Sequence, residues 1–318
     1  MHKRPSLERI TIAVRDGVKL ALQHVKAESP RLSVLHLHAN SYNSMAYIQY
    51  ATRLALAGVS VFLLDTRGNG KSEGTPGTVG YIGQLEDDLY DVIKSLKSQH
   101  TSAPLVLSGH SGGTATMLRY LDQYGDSEFA GLILLSPVLP TVIEASRFDL
   151  EGGLLGYMME YFRRKPHFLP PPPETADFLP KINNIRFQLC KYLPFLRNMP
   201  VLTFPGDEEA ARKTGRNLKF SYKLARCYVV ENYDDIYRRL RKPLFLAIGD
   251  QDDATHPELI LSIGAWCLDP ALARHVAILP DTNHLNIARK AADLIVEWTH
   301  ALAHNESMAP LQEFALCG

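Results

Sequence analysis

The chain lacks any run approaching the ~18 consecutive apolar residues that a membrane-crossing helix requires. Its opening stretch, MHKRPSLERITIAVRDG, is charged and soon strand-like, without the apolar core of a secretion signal. Cysteine is scarce: Cys190, Cys227, Cys267 and Cys317 lie far apart, and no pair has the spacing of a metal ligand set or a redox motif. That usage fits a reducing compartment, so the expectation is a cytoplasmic protein with no integral membrane segment. A surplus of either charge is missing too. Lys plus Arg is 34 and Asp plus Glu is 34, which removes the electrostatic reason to expect nucleic acid as a partner. No internal repeat is found.

What is present is apolar residue in quantity, 46% of 318, enough for a full core. It is arranged in a rhythm. Ile10–Ala27 reads as two strands meeting at Asp16-Gly17, a dipeptide suited to a tight hairpin. Ser33–His38, Val59–Asp65, Leu105–Ser108 and Gly131–Ser136 are short apolar runs with the character of buried strands. Between them Met45–Gly58, Tyr81–Ser98 and Gly112–Tyr124 carry helical spacing. Such alternation indicates a mostly parallel sheet covered on both faces. It breaks from about Thr141 to Arg241, where Pro170–Pro173 and many aromatics occur. It resumes with Leu244–Gly249, Glu258–Leu268, His275–Leu279 and Asn286–His304. The expected organisation is an α/β core from residues 1–140 and 242–304, a cap inserted at 141–241, and a loose tail at 305–318.

Residues 109–113 read Gly-His-Ser-Gly-Gly, placed directly after a strand and opening a helix. In that context G-x-S-x-G is a nucleophile elbow. The turn would hold the Ser111 hydroxyl above the sheet. Side chains at Gly109 or Gly113 would strike the neighbouring strand and helix, with His110 between them. The Gly112 N–H would point at the substrate from a helix N-terminus, where negative charge is favoured.

A serine hydroxyl needs a base. His284, in the loop LPDTNHLN after the last strand, falls at the sheet end where Ser111 should project; His167, His256, His275, His300 and His304 are worse placed. The acid that fixes its tautomer should follow the strand Leu244–Gly249, where Asp250, Asp252 and Asp253 compete, in the preference order Asp252, Asp253, Asp250. The second oxyanion donor should come from the loop His38-Ala39-Asn40-Ser41. Asn40 is the first choice and Ala39 the second. Asp65–Ser72 is glycine-rich but lacks phosphate-loop spacing and does not open a helix; it reads as architectural, with Asp65 and Arg67 bonded within the loop.

Together, D-x-R-G-x-G-x-S at 65–72, G-H-S-G-G at 109–113, G-x-x-D at 249–252 and N-H at 283–284 resemble the α/β-hydrolase superfamily. The nearest group is the monoacylglycerol lipases, lysophospholipases and S33-like serine aminopeptidases, over residues 10–304. The resemblance implies an eight-stranded, mostly parallel sheet with helices on both faces and a cap after the sixth strand. It also implies Ser111 as nucleophile, Asp252 as acid, His284 as base, and Asn40 with Gly112 as oxyanion donors. One position departs from the group: His38-Ala39 stands where His-Gly is usual.

The expected activity is hydrolysis of a carboxylic ester with a hydrophobic acyl group, such as a monoacylglycerol or lysophospholipid, with no metal or organic cofactor. The apolar stretch Gly152–Phe162 serves equally as an acyl lining or as a packed cap helix, and Arg163–Lys165 follows as a basic helix end. The partner expected is a small-molecule ester, with a homodimer left open. The rivals are an aminopeptidase or amidase, with Glu208 and Glu209 as candidates to hold an amine, a thioesterase, a carbon–carbon bond hydrolase, and a non-catalytic ligand-binding protein of the same fold.

Overall fold

The structure, a computed structural model, describes residues 5–137, 180–255, 257–273, 275–304 and 306. Its main sheet has eight strands: β1 (Ser6–Ala13), β2 (Lys19–Lys26), β3 (Leu32–Leu37), β4 (Val59–Leu64), β5 (Leu105–His110), β6 (Gly131–Leu135), β10 (Leu244–Gln251) and β11 (Val276–Asn283). The spatial order is β1-β2-β4-β3-β5-β6-β10-β11. The β1–β2 hairpin and the β2–β4 pair are antiparallel; every pair from β4 to β11 is parallel.

Strands β3 to β6 are buried along their whole length, which is why they read as continuous apolar runs rather than as alternating ones. Helix α1 (Ile48–Leu56) and the last helix, Ala292–His304, cover one face, around Trp298, Tyr50 and Phe245. Helices α2 (Gln84–Ser95) and α3 (Gly112–Tyr124) cover the other, together with the chain beyond residue 180.

Three differences from the sequence reading have physical causes. Residues 181–221 contain strands where no alternation is legible: β7 (Lys181–Ile182), β8 (Pro200–Thr203) and β9 (Lys219–Ser221) form a small antiparallel sheet of their own. Strands of two to four residues are too short to show a period. β11 runs to Asn283, four residues past the expected end, because polar Thr282 and Asn283 still pair alongside β10, with Gln251 opposite Asn283 after a bulge. The final helix is split, with Ile287–Lys290 preceding Ala292–His304. The first part of the expected cap, including Gly152–Phe162, Arg163–Lys165 and His167, lies outside the described residues. So does most of the expected tail. No described helix is long and apolar enough to cross a membrane.

Candidate active site

The chain reverses at the end of β5 so that Ser111 has φ 51° and ψ −121°, a left-handed region that a serine enters only under strain. The turn is held open from both sides. The Ser111 N–H donates to the Leu135 carbonyl on β6, and the Thr114 N–H donates back to the Ser111 carbonyl. Helix and strand meet so closely that a Cβ on Gly113 would strike the Leu37 carbonyl oxygen and approach that of His38 to 2.9 Å; a Cβ on Gly109 would meet the Gly113 carbonyl oxygen at 2.9 Å. The glycines flanking Ser111 are therefore required by backbone against backbone.

Ser111 Oγ lies 2.8 Å from His284 Nε2, and both oxygens of Asp252 lie 3.0 Å from His284 Nδ1. The three residues are 8%, 3% and 8% exposed. Asp252 and His284 follow directly on the residues Gln251 and Asn283 that face each other on β10 and β11, so the spacing of carboxylate and imidazole is set by strand register. Of the competing carboxylates, Asp250 accepts instead from the Thr282 N–H at 3.1 Å. Asp252 Oδ1 also accepts from the Ala254 and Thr255 N–H groups. Burial pushes the Asp252 carboxyl up, but the hydrogen bond and charge of His284, with the Thr255 N–H, outweigh it, and the group sits below the usual carboxylate range. An ionised Asp252 accepts a hydrogen bond from the Nδ1–H of His284 and so leaves the Nε2 lone pair facing the serine hydroxyl.

The loop after β3 passes over the helix N-terminus. The Asn40 side chain lies against Gly112, and its Oδ1 is buried without a partner among the described residues. The Ala39 N–H is occupied, donating to Tyr47 Oη at 3.0 Å, whereas neither the Asn40 nor the Gly112 N–H has an acceptor among the described residues.

Tyr47, which sequence reading passed over, connects three parts of the site. Its hydroxyl lies 2.7 Å from His110 Nδ1, and His110 Nε2 lies 2.8 Å from the His284 carbonyl oxygen. Burial, with the nearby His284, drives His110 down to about 3, so its ring is neutral. A neutral ring facing a carbonyl must carry its proton on Nε2. Nδ1 is then an acceptor, and Tyr47, already accepting from Ala39, donates to it. One directed chain thus runs from the Ala39 N–H through Tyr47 and His110 to the loop of His284. No periodicity marks Tyr47, which sits in a single short turn at Ser44–Tyr47.

The architectural loop behaves differently from expectation in one respect. Asp65 serves the loops, accepting from the Ser44 and Lys71 N–H groups. Arg67 reaches out of its loop to Asp88 on α2 at 2.6 Å and Asp16 at 2.9 Å.

Ser111 and His284 line a pocket whose other walls are mostly apolar: Ile182, Leu202, Phe204 and Tyr228 from the segment beyond residue 180, and Leu285 beside the histidine. Glu208 and Glu209, the candidate amine holders, are not in it; both are exposed and paired with Lys219 and Lys213. Among the described residues no cluster of His, Cys, Asp and Glu forms a metal site.

A family model described as serine aminopeptidase, S33, matches residues 28–163, and the solved structures that superpose on the chain are α/β hydrolases and esterases. The chain has the α/β-hydrolase fold. A thermophilic esterase from Thermogutta terrifontis superposes with a TM-score of 0.60 at 20% identity, over 93% of this chain and 99% of that one. The hydrolase GrgF from Penicillium superposes with a TM-score of 0.63 at 17% identity, over 95% and 99%. Likeness at these identities concerns the fold. A monoacylglycerol lipase of Mycolicibacterium smegmatis is 26% identical over 110 residues, 35% of this chain and 39% of the lipase. The chain spans about half the length, or less, of the curated relatives it matches.

Proposed function

We propose that the protein is a serine hydrolase that cleaves a carboxylic ester with an apolar acyl group. The observation that carries this reading is the unbroken contact from Ser111 Oγ to His284 to Asp252 at the floor of a mostly apolar pocket. Ser111 Oγ attacks the ester carbonyl while its proton passes to His284 Nε2. Asp252 stabilises the imidazolium. The N–H groups of Asn40 and Gly112 receive the oxyanion, each such donor being worth about 10²–10³ in rate. The C–O bond then breaks, and the alcohol leaves with the proton from His284. Water, deprotonated by the same imidazole, releases the acyl group from Ser111. Ile182, Leu202, Phe204 and Tyr228, from the described part of the expected cap, cover the acyl chain. The likeness to a monoacylglycerol lipase and to the Candida albicans protein phosphatase methylesterase 1 supports an ester as the bond cleaved.

A fluorophosphonate probe tests the reading. The wild type should label and Ser111→Ala should not, and p-nitrophenyl esters should be turned over only by the labelling form. Equal labelling of the two proteins would remove Ser111 from the mechanism.

A further inference from the structure

Among the described residues that line the pocket, one charged side chain is not used by the proposed reaction. Arg216 lines it beside Ser41, Tyr42 and Ser111, and no Asp or Glu is among the described lining residues. Its guanidinium is fixed on two sides. Nε donates to the Ser41 carbonyl at 2.6 Å, and the guanidinium carbon lies 4.6 Å from the centre of the Tyr42 ring. The backbone carrying it is clasped as well. Asn43 Nδ2 donates to the Thr214 carbonyl, the Gly70 N–H to the Gly215 carbonyl, and Asn217 Nδ2 to the Gly68 carbonyl. Four consecutive residues, 214–217, are thus stitched to the loops after β3 and β4.

What is missing among the described residues is a counter-ion. Arg67 faces Asp88 and Asp16, and Arg119 faces Glu86, as enclosed arginines ordinarily do. Arg216 has no carboxylate within ion-pair distance among the described residues, and its two terminal nitrogens, with four N–H groups, have no acceptor there. The nearest acids in sequence, Glu208 and Glu209, are engaged by lysines on the exposed side of their helix. A planar cation, pre-oriented in a mostly apolar pocket with its terminal N–H groups unpaired among the described residues, is a fork awaiting two oxygens of one anion.

We propose that Arg216 recognises an anionic substituent, carboxylate or phosphate, carried by the ester. This deepens the serine hydrolase reading and rests on it: the substrate is amphiphilic, with an apolar chain and an acidic group. Because Arg216 is held by Ser41, next in the chain to Asn40, anion recognition and carbonyl placement share one loop. The alternative role for Arg216 is to pin Ser41, whose φ of 61° is left-handed. The two roles separate experimentally, since pinning affects every substrate equally.

The test compares kcat/KM for p-nitrophenyl butyrate with that for mono-p-nitrophenyl succinate, and for a monoacylglycerol with that for the lysophosphatidic acid of equal chain length. The wild type should prefer the anionic member of a pair. In Arg216→Gln the anionic-to-neutral ratio should fall about 10- to 100-fold, as for loss of a charge-assisted fork, with Arg216→Lys in between. A response confined to the succinate pair assigns a carboxylate, and one confined to the phosphate pair assigns a phosphate. Both members of each pair falling together, with the ratio unchanged, would overturn the proposal in favour of pinning. Should no ester be cleaved, the serine hydrolase reading fails and binding decides alone. Octyl hydrogen succinate and octyl phosphate, measured against octanol by calorimetry on Ser111→Ala, should bind more tightly than on Ser111→Ala/Arg216→Gln; equal affinities would overturn the proposal.

Discussion

Replacing Tyr47 by Phe deletes a single oxygen and strands two buried groups. The Ala39 N–H loses its acceptor at 3.0 Å and His110 Nδ1 its donor at 2.7 Å, at residues only 4% and 2% exposed. An unsatisfied buried donor costs about 1–3 kcal/mol, and a stranded ring lone pair adds about 1 kcal/mol. The aromatic ring and its contacts remain, so no cavity cost is added. A pocket lined by Tyr47 and His110 has room for water, whose entry would satisfy part of the stranded groups and sets the lower end of the range. The expected loss is about 2–4 kcal/mol, read as a lower urea midpoint at unchanged slope. Catalysis should suffer separately, because the chain holds the peptide leading to Asn40 at one end and the backbone of His284 at the other. A displacement of about 1 Å at such groups lowers kcat up to about 100-fold while KM moves little. A variant within about 0.5 kcal/mol of wild type, with unaltered kcat, would refute the directed chain and the tautomer derived from it.

Asp252→Asn keeps an oxygen for the Ala254 and Thr255 N–H groups but turns an amide NH₂ toward His284 Nδ1. Steady-state kinetics should show kcat down about 10⁴-fold, and a loss under tenfold would shift the role to Asp253. Gly113→Ala forces a methyl group onto the Leu37 and His38 carbonyl oxygens and should lose more than about 3 kcal/mol in denaturation; Gly112→Ala has the Asn40 side chain as its nearest obstacle and should fold while losing turnover. The pH dependence of stability follows from His110. Its folded value of about 3 lies below the ordinary 6.5, so the unfolded chain binds the proton first and stability falls with acid. Between pH 7 and pH 5 this one ring removes about 2 kcal/mol. Buried His36, pushed well down by desolvation, acts in the same direction. Urea midpoints that stay level over that interval would count against a neutral buried His110.

The core of the fold was legible because its strands are buried on both faces and its helices on one, so period and apolar run length report the layers directly. Ser111 was legible because the elbow is a local device, with strand, turn and helix contiguous in sequence. The acid was ambiguous for the opposite reason. Asp250, Asp252 and Asp253 share one short stretch, and only the register of β10 against β11 determines which of them meets His284. The reach of β11 was underread since Thr282 and Asn283 are paired by a neighbour rather than by their own propensity. Arg216 left no trace in sequence: its partners, Ser41 and Tyr42, are 175 and 174 positions away. The small sheet β7–β9 is held by pairings among strands of two to four residues, beneath the length at which any alternation can be counted.

The pairing of β6 with β10 has a further consequence. Leu132 lies opposite Leu244 and Leu135 opposite Ala247, so whatever the chain does between Leu135 and Leu244, it leaves and re-enters the sheet on adjacent rails at a fixed offset. Ser111, Asp252 and His284 themselves sit at the ends of β5, β10 and β11, outside that excursion. Lineages could therefore exchange the whole segment, and with it the ligand that is admitted, while the geometry at Ser111 stayed untouched. Residues 214–217 are the exception: laced to the loops beneath, they are the part of the excursion least free to drift.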